Sequence, residues 1–292
     1  MNIVRFANAY FLISGLLIGL SLVSLWLFGL NASIEFAGGS ILEVQYQETR
    51  PSALDIRERL EPLQLKTIQV QEAGDKGAII RTESISEGMH QQMLSQLEGA
   101  SELRFDAVGP VIGEELKRKT TVTALIALAL IVGYIALAFR KIADPFKPWH
   151  WSLVSLAALL HDVLLPLGLF ALLGRIYGTE FTIPVVVALL TVIGYSINNN
   201  IVVFDRIREN LLKRTGFDLQ DTVNKSISQT LTRNINMTLT VLISLFALLF
   251  FGGQALQGFS LALIAGTLVG LYSSILFCPA MLASWLSKDK GI

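Results

Sequence analysis

Residues Val187–Asn210 read VALLTVIGYSINNNIVVFDRIREN, an apolar run that contains three consecutive asparagines and ends in a cluster of charged residues. The run begins near Thr182, and up to Phe204 it has the length of about 20 residues that a helix needs to cross a bilayer. The asparagines lie about 9 Å from the charged end at 1.5 Å per residue. Their amides can hydrogen-bond between helices but cannot titrate, so they predict packing or a polar lining, not proton transfer.

The composition of the whole chain also indicates a membrane protein. Hydrophobic residues make up 52% of the 292 residues and charged residues only 16%, against about 25% in soluble proteins. This excludes intrinsic disorder and makes an ordinary cytosolic enzyme implausible. The last apolar segment is long enough to tilt, or to break near Pro279. Six transmembrane helices are predicted, at Ala7–Leu30, Thr121–Phe139, Trp151–Leu173, Thr182–Phe204, Ile235–Phe251 and Phe259–Leu286.

The charges between these segments orient the chain in the membrane. If the N-terminus lies inside, the cytoplasmic segments carry an excess of basic residues, such as Arg206 and Arg208, whereas the short outer loops carry only Arg175 and Glu180. The positive-inside rule then places both termini in the cytoplasm. The predicted location is the bacterial inner membrane, with membrane lipid around the helices.

One long insert, residues 31–119, separates the first transmembrane helix (1–30) from a five-helix transmembrane domain (120–292) with a cytoplasmic loop at 205–234. We expect the insert to be a small periplasmic α+β domain. The single histidine of this insert, His90, has no partner at catalytic or metal-ligand spacing and is predicted to be an exposed helix residue. The element order β-α-β-β-α-β predicts a ferredoxin-like fold, with elements at Ile41–Tyr46, Ser52–Leu60, Lys66–Glu72, Gly77–Thr82, Ser86–Leu97 and Glu102–Val108.

Two glycine-containing turns flank this insert. Gly38 and Gly39 lack the frame of a phosphate-binding loop and predict a tight turn where the chain leaves the membrane. Gly109, Pro110 and Gly113 form a similar turn where the chain returns to the bilayer. We expect these five residues to be hinges of the outer domain.

His161 and Asp162 lie near the middle of the third predicted span. An ionisable side chain at that depth costs about 2.5–3.5 kcal/mol on insertion scales, so such a residue is a functional candidate. Adjacent residues point about 100° apart on a helix, and each of the two is therefore predicted to have its own partner. A structural hydrogen bond to a neighbouring helix and a proton relay both remain open.

Leu219, Val223, Ile227 and Leu231 recur every four residues between the fourth and fifth spans. This spacing predicts an amphipathic helix lying on the inner membrane surface. Arg233 follows at the mouth of the fifth span. Two roles are open for it, an anchor that reaches the interface and a functional residue.

Several stretches together resemble a known family. They are Val108–Leu116 (VGPVIGEEL), Leu160–Val163 (LHDV), Val187–Asn210, Ser228–Leu239 (SQTLTRNINMTL) and the turn Phe36–Ser40. They are distributed over nearly the whole chain and resemble the SecF family, within the resistance–nodulation–division superfamily. The resemblance implies three partners: SecD, the SecYEG translocon and unfolded preproteins. It also implies use of the proton motive force to assist their export.

The chain departs from this family's pattern in the fourth span. The family reads Y-S-[IV]-N-D-[ST], with an aspartate proposed to carry protons, whereas here Asn199 stands at the aspartate position and Asn200 replaces the small hydroxyl residue. A neutral amide cannot bind and release a proton near physiological pH. Three alternatives are open: coupling rests on carboxylates of SecD, with or without Asp162; this chain has lost coupling; or Asn199 is an engineered substitution. The candidates for transport are Asp162, His161, Asn198, Asn199 and Arg233, the last matching a functional arginine of the family.

Three hypotheses for function follow. The first is a subunit that acts with SecD in proton-driven protein export, the second a half of a small-molecule exporter, and the third a structural subunit without proton coupling. An insert of under 90 residues is small for enclosing a drug-sized pocket of about 300–1,000 Å³, which weighs against the second. No nucleotide loop, catalytic triad or metal-ligand spacing occurs, so no enzyme activity, cofactor or metal is predicted. The balance of 23 basic and 23 acidic residues predicts no nucleic-acid partner.

Overall fold

The computed structural model describes residues 3–138, 148–213, 216 and 218–289. Within these ranges, six helices are long and apolar enough to cross a membrane, in agreement with the six predicted spans. The predicted end of the second span, Phe139, lies outside the described residues. The six helical segments are Val4–Phe28, Pro110–Ile135, Trp149–Tyr177, Ile183–Leu212, Leu219–Phe251 and Leu256–Trp285.

The chain divides into two compact units, Met1–Asn31 with Thr123–Ile292, and Ala32–Val122. The strands are β1 (Gly39–Tyr46), β2 (Ile68–Ala73), β3 (Gly77–Thr82) and β4 (Ala100–Val108). The α-helices of the described residues are α1 (Ala7–Phe28), α2 (Ile34–Ala37), α3 (Ala53–Leu60), α4 (Glu87–Gln96), α5 (Pro110–Ala138), α6 (Pro148–Tyr177), α7 (Ile183–Leu212), α8 (Leu219–Phe251), α9 (Gln254–Tyr272) and α10 (Cys278–Asp289).

The apolar core of the first unit lies mainly among α6, α7, α8 and α10. Trp151 of α6 and Phe204 of α7 are fully buried, and their rings meet edge to face with centroids 5.0 Å apart. Because lipid tails are as apolar as these side chains, close packing holds the helices together rather than transfer from water. By contrast, α1 and α5 leave most of their apolar side chains exposed in this single chain.

The predicted loop at 205–234 is mostly helical, because α7 and α8 extend into it from both sides. Val223 and Ile227 are fully buried in the same core as Val203 and Phe204. The prediction of a separate helix lying on the membrane surface is therefore wrong. The apolar stripe is real, but it packs against protein, and α8 continues without a break into the fifth span.

The second unit contains a four-stranded antiparallel sheet in the order β2-β3-β1-β4. Alternate residues of its central strands, such as Leu42, Val44 and Ile80, are buried in one core with residues of α3 and α4. Period-two burial is the pattern of a sheet covered on one face. The element order β-α-β-β-α-β follows the prediction, as does the hairpin that joins β2 to β3 through Gly74 at φ 66°.

The prediction that His90 is exposed is wrong, since only 4% of the residue remains accessible. Its ring stacks on Phe105 of β4 with centroids 3.8 Å apart. Nδ1 lies 3.1 Å from Glu87 Oε1, and Nε2 lies 3.2 Å from Glu102 Oε2. Hydrogen bonds from Gln91 and His90 hold the pKa of Glu87 below its usual value. His90 thus has one partner on its own helix, Glu87, and two on β4, a strand that follows it along the chain.

Glu83, just after β3, holds the segment that leads into β2. Its carboxylate accepts the backbone N–H groups of Lys66 (3.0 Å) and Thr67 (2.9 Å). These hydrogen bonds lower the pKa of Glu83 below its usual value of 4.5, and the bond from Lys66 has the largest effect. A carboxyl group with a lowered pKa stabilises the fold above its unfolded pKa, and this contribution is lost as the pH falls through the folded value.

We predict that Glu83→Gln makes the second unit less sensitive to acid and frees the two amides. Near neutral pH the Lys66 and Thr67 amides should exchange faster in the variant, because a neutral carboxamide offers one acceptor oxygen in place of two. As the pH falls through the lowered folded pKa of Glu83, the two proteins should converge, because Glu83 itself is then protonated. Hydrogen exchange of the Lys66 and Thr67 amides over a pH series, corrected for the intrinsic pH dependence of exchange, measures this difference between the two proteins. Glu98→Gln, a change at an exposed glutamate, is the control, and equal exchange in both variants would contradict the role of Glu83.

Candidate functional site

Among the described residues of the spans, the only buried acidic side chain is that of Asp162 in α6, which has no accessible surface. Oδ2 accepts hydrogen bonds from Ser196 Oγ of α7 and, at 2.7 Å, from Ser273 Oγ near the end of the sixth span. Oδ1 lies 2.8 Å from His161 Nδ1. Donors from three parts of the bundle thus converge on one carboxylate, as a buried charge requires.

The expectation that His161 and Asp162 have separate partners is wrong, because they bond to one another. The angle of about 100° separates only the Cβ directions, and both side chains extend far enough to turn towards each other. With Nδ1 donating to the carboxylate, neutral His161 carries its lone pair on Nε2. This atom is buried and has no hydrogen-bond partner among the described residues.

Two aromatic rings enclose the imidazole of His161. Tyr272 and Phe277 stack on it, with ring centroids 5.9 Å and 5.1 Å away and interplanar angles of 28° and 16°. The two rings are five residues apart and lie on one side of the helix because Ser273–Phe277 forms a π-helical turn, with i to i+5 hydrogen bonds.

This π turn, which we call the π segment (Ser273–Phe277), is not predicted from the sequence. The available signal is Pro279, which lacks an N–H and crowds the carbonyl four residues before it. The helix does not break near Pro279. It widens to a π turn that ends at Phe277, immediately before α10 begins at Cys278. This turn brings Ser273 to Asp162.

The asparagines of α7 are not all on one face. Ser196, Asn199 and Asn200 form a buried polar stripe along α7, whereas Asn198 is exposed. Asn199 lies about one turn along α7 from Ser196, the residue that bonds Asp162. The structure therefore groups Asn199 with the buried polar stripe and leaves Asn198 outside it.

A second group of buried polar residues lies between α7 and α8. Tyr195 Oη donates to Thr238 Oγ1 at 2.7 Å, which fixes the antiparallel register of the two helices. Counting about one helical turn from each of these residues along the antiparallel helices leads to Asn199 on α7 and Asn234 on α8. Both amides are fully buried, and neither has a hydrogen-bond partner in the part of the chain that the structure describes. Arg233, one residue earlier, is exposed and lies apart from this buried group.

Three of the five predicted hinge residues, Gly38, Pro110 and Gly113, meet in a close backbone contact within the second unit. Gly38 has φ 73°, and a Cβ there would lie 3.0 Å from Pro110 Cα. A Cβ on Gly113 would lie 3.0 Å from the Gly38 nitrogen, and one on Gly39 2.8 Å from the Thr82 oxygen. Gly109 differs, since no described atom outside its chain neighbours lies within 4 Å of its Cβ position.

Six long apolar helices, a buried polar centre and a small antiparallel sheet define a multi-pass membrane protein. Residues 89–288 match the family described as "Protein export membrane protein SecD/SecF, C-terminal", and residues 23–49 match the "SecD/SecF GG Motif". The chain belongs to the SecF family of protein-export membrane proteins.

Individual relatives agree with this assignment. "Protein translocase subunit SecF" of Thermobaculum terrenum is 39% identical, over 99% of this chain and 95% of the relative. Its counterpart in Helicobacter pylori (strain J99) is 34% identical, over 100% of this chain and 88% of that relative. A crystal structure of SecDF from Thermus thermophilus superposes with a TM-score of 0.85 at 34% identity, covering 98% of this chain and 38% of that one. The chain thus spans about two-fifths of that SecDF chain.

We predict that Gly113→Ala destabilises the second unit by about 1–3 kcal/mol, because its methyl group meets backbone atoms that cannot turn away. Gly109→Ala is the matched control from the same turn and should change the stability by less than about 0.5 kcal/mol. Thermal unfolding in detergent and hydrogen exchange of β1 measure the difference. Equal behaviour of the two variants would show that the close contact contributes nothing.

We predict opposite effects for two leucine substitutions of buried amides in α7. Asn199→Leu should raise the thermal midpoint, because an unpartnered buried amide costs about 1–3 kcal/mol. Asn210→Leu should lower it, because Asn210 Nδ2 donates to Ser226 Oγ (2.8 Å) and Gln229 Oε1 (2.9 Å). Thermal unfolding in detergent compares them. A lowered midpoint for Asn199→Leu would mean that this amide has a partner in the working protein.

Proposed function

We propose that this chain assists protein export together with a SecD subunit at the SecYEG translocon, driven by the proton motive force. Relatives that it covers almost fully are called protein translocase subunits. In the Thermus thermophilus relative, called SecDF, the match occupies 35% of a longer chain. This supports a separate SecD-like partner that supplies the remaining part, with unfolded preprotein as the substrate.

The proposed orientation follows from the charges. The basic excess at one set of helix ends supports cytoplasmic N- and C-termini in the bacterial inner membrane. With that orientation, the ferredoxin-like sheet of Ala32–Val122 lies on the periplasmic side, where an exported polypeptide emerges. Gly38, Gly39, Pro110 and Gly113 would then act as a fixed corner, and Gly109, whose side-chain position is open, would be the hinge.

The main observation that supports proton coupling is the burial of Asp162. Among the described residues it is the only acidic side chain that is buried. A proton that crosses a membrane potential of 100 mV releases about 2.3 kcal/mol, and a group that binds it must lie inside the bilayer. With Asn199 at the family's aspartate position, Asp162 and the carboxylates of SecD are the groups left for this role.

A structural subunit without proton coupling is the second candidate. It is favoured by the neutral Asn199 and by the three donors around Asp162, which suit a permanently ionised carboxylate. In that case Asp162 holds α6, α7 and the π segment together and exchanges no proton. The two candidates differ in whether export depends on Asp162 only when a proton gradient is present.

We predict that Asp162→Asn abolishes the proton-gradient-dependent part of preprotein import into inverted membrane vesicles that contain this chain and its SecD. The gradient-independent part, measured after the gradient is collapsed, should remain. An amide keeps the size of the side chain but cannot carry a proton. Co-purification with SecD confirms that the variant complex is assembled.

Asp205→Asn is the control for the charge change, because Asp205 is exposed at the end of the same bundle. It should import like the unaltered protein. If Asp162→Asn keeps full stimulation by the gradient, the proton-coupled function fails and the structural subunit is favoured. If Asn199→Asp then adds stimulation to the Asp162→Asn protein, position 199 can serve as a coupling site.

A further inference from the structure

The π segment joins the buried carboxylate to the first helix. Tyr272, at its start, donates its phenolic hydrogen to the Tyr10 carbonyl (3.1 Å) and lies 3.0 Å from Ser14 Oγ. Since a phenol has only one hydrogen, Ser14 is the donor in the second bond. Phe277, at its end, meets Phe11 edge to face at 6.1 Å. The same two residues that enclose the imidazole therefore also hold α1.

Ser273 has two competing acceptors. Its Oγ lies 2.7 Å from Asp162 Oδ2 and 3.2 Å from the Gly270 carbonyl oxygen. One hydroxyl hydrogen cannot serve both at full strength. Which acceptor it takes depends on whether the carboxyl group needs a donor or itself offers a hydrogen.

The two protonation states of Asp162 therefore favour two arrangements of the π segment. When the carboxylate is ionised, Ser273 donates to Oδ2, the nearer acceptor. When a proton sits on Oδ2, the carboxyl O–H donates to Ser273 Oγ, and the serine hydrogen turns to the Gly270 carbonyl. That carbonyl also accepts the Ser273 backbone N–H at the end of α9, so the new bond acts on the helix itself.

We propose that Ser273 and Tyr272 are positioning residues that couple the protonation of Asp162 to α1 through the π segment. This rests on the proposed function, in which Asp162 gains and loses a proton. Short π turns inside helices are frequent at functional sites because they can shift where an α-helix cannot. Along the chain α1 leads into the unit Ala32–Val122, so it is a direct covalent link between the carboxylate's surroundings and that unit.

The first test measures the protonation of Asp162 in the full-length chain with its SecD. Infrared difference spectra recorded over a pH series show the carbonyl band of a protonated carboxyl group, assigned by its absence in Asp162→Asn. Ser273→Ala should move the midpoint upward by about one pH unit, the size expected for one lost hydrogen bond to a charged acceptor. Ser274→Ala is the matched control, because among the described residues its Oγ bonds only to the Leu271 carbonyl (3.1 Å), and the midpoint in this variant should not move.

The second test measures transmission to α1. Hydrogen exchange of the α1 amides between Tyr10 and Ser14 should differ above and below the midpoint in the unaltered protein. The difference should disappear in Tyr272→Phe, which keeps the ring over His161 but loses the hydroxyl. Tyr195→Phe, which removes a comparable bond to Thr238, should retain the difference.

The outcomes separate this inference from the proposed function. If no carboxyl band titrates in the unaltered protein, proton coupling at Asp162 fails and the inference fails with it. If the band titrates but Ser273→Ala and Ser274→Ala share one midpoint, only the positioning role is overturned. If Tyr272→Phe and Tyr195→Phe give the same exchange in α1, the link to that helix is overturned.

Discussion

A carboxylate inside an apolar bundle is stable only if hydrogen-bond donors surround it, and the arrangement of the spans reflects this constraint at Asp162. Ser196 of α7, Ser273 of the π segment and the neighbouring His161 supply those donors. Removing any donor leaves part of a buried charge unpaired, which costs more than the loss of an ordinary hydrogen bond. The contact therefore fixes the relative positions of α6, α7 and the sixth span more tightly than apolar packing alone.

Close backbone packing is the corresponding constraint in the second unit. Gly38 and Gly113 have no side chains, so the turn before β1 and the start of α5 approach to distances that a methyl group would prevent. This differs from the idea of a loose hinge, because a corner held by backbone contacts is stiff. No such contact constrains Gly109, whose side-chain position is open.

The partners and surroundings of individual side chains are where the sequence predictions failed. The sequence pattern did not identify the partner of either His90 or His161. In the structure His90 stacks on Phe105 of β4. His161 bonds its neighbour Asp162 and is enclosed by aromatic rings. The stripe from Leu219 to Leu231 was recognised correctly as apolar on one side, but periodicity does not tell whether lipid or protein covers it. Only the fold shows that Val223 and Ile227 pack on the core.

The sequence by itself determined the six spans, the sheet-forming insert and the family, and its charges predict an orientation. These follow from hydrophobic length, two- and four-residue periodicities and local motifs, all of which act between residues that are near in the chain. Tertiary structure alone decided that Asn199 is buried while Asn198 is exposed, that Arg233 lies outside the polar centre and that a π turn brings Ser273 to Asp162. Those outcomes depend on how helices far apart in sequence pack side by side, and a side chain's surroundings are set by that packing rather than by its neighbours in the chain.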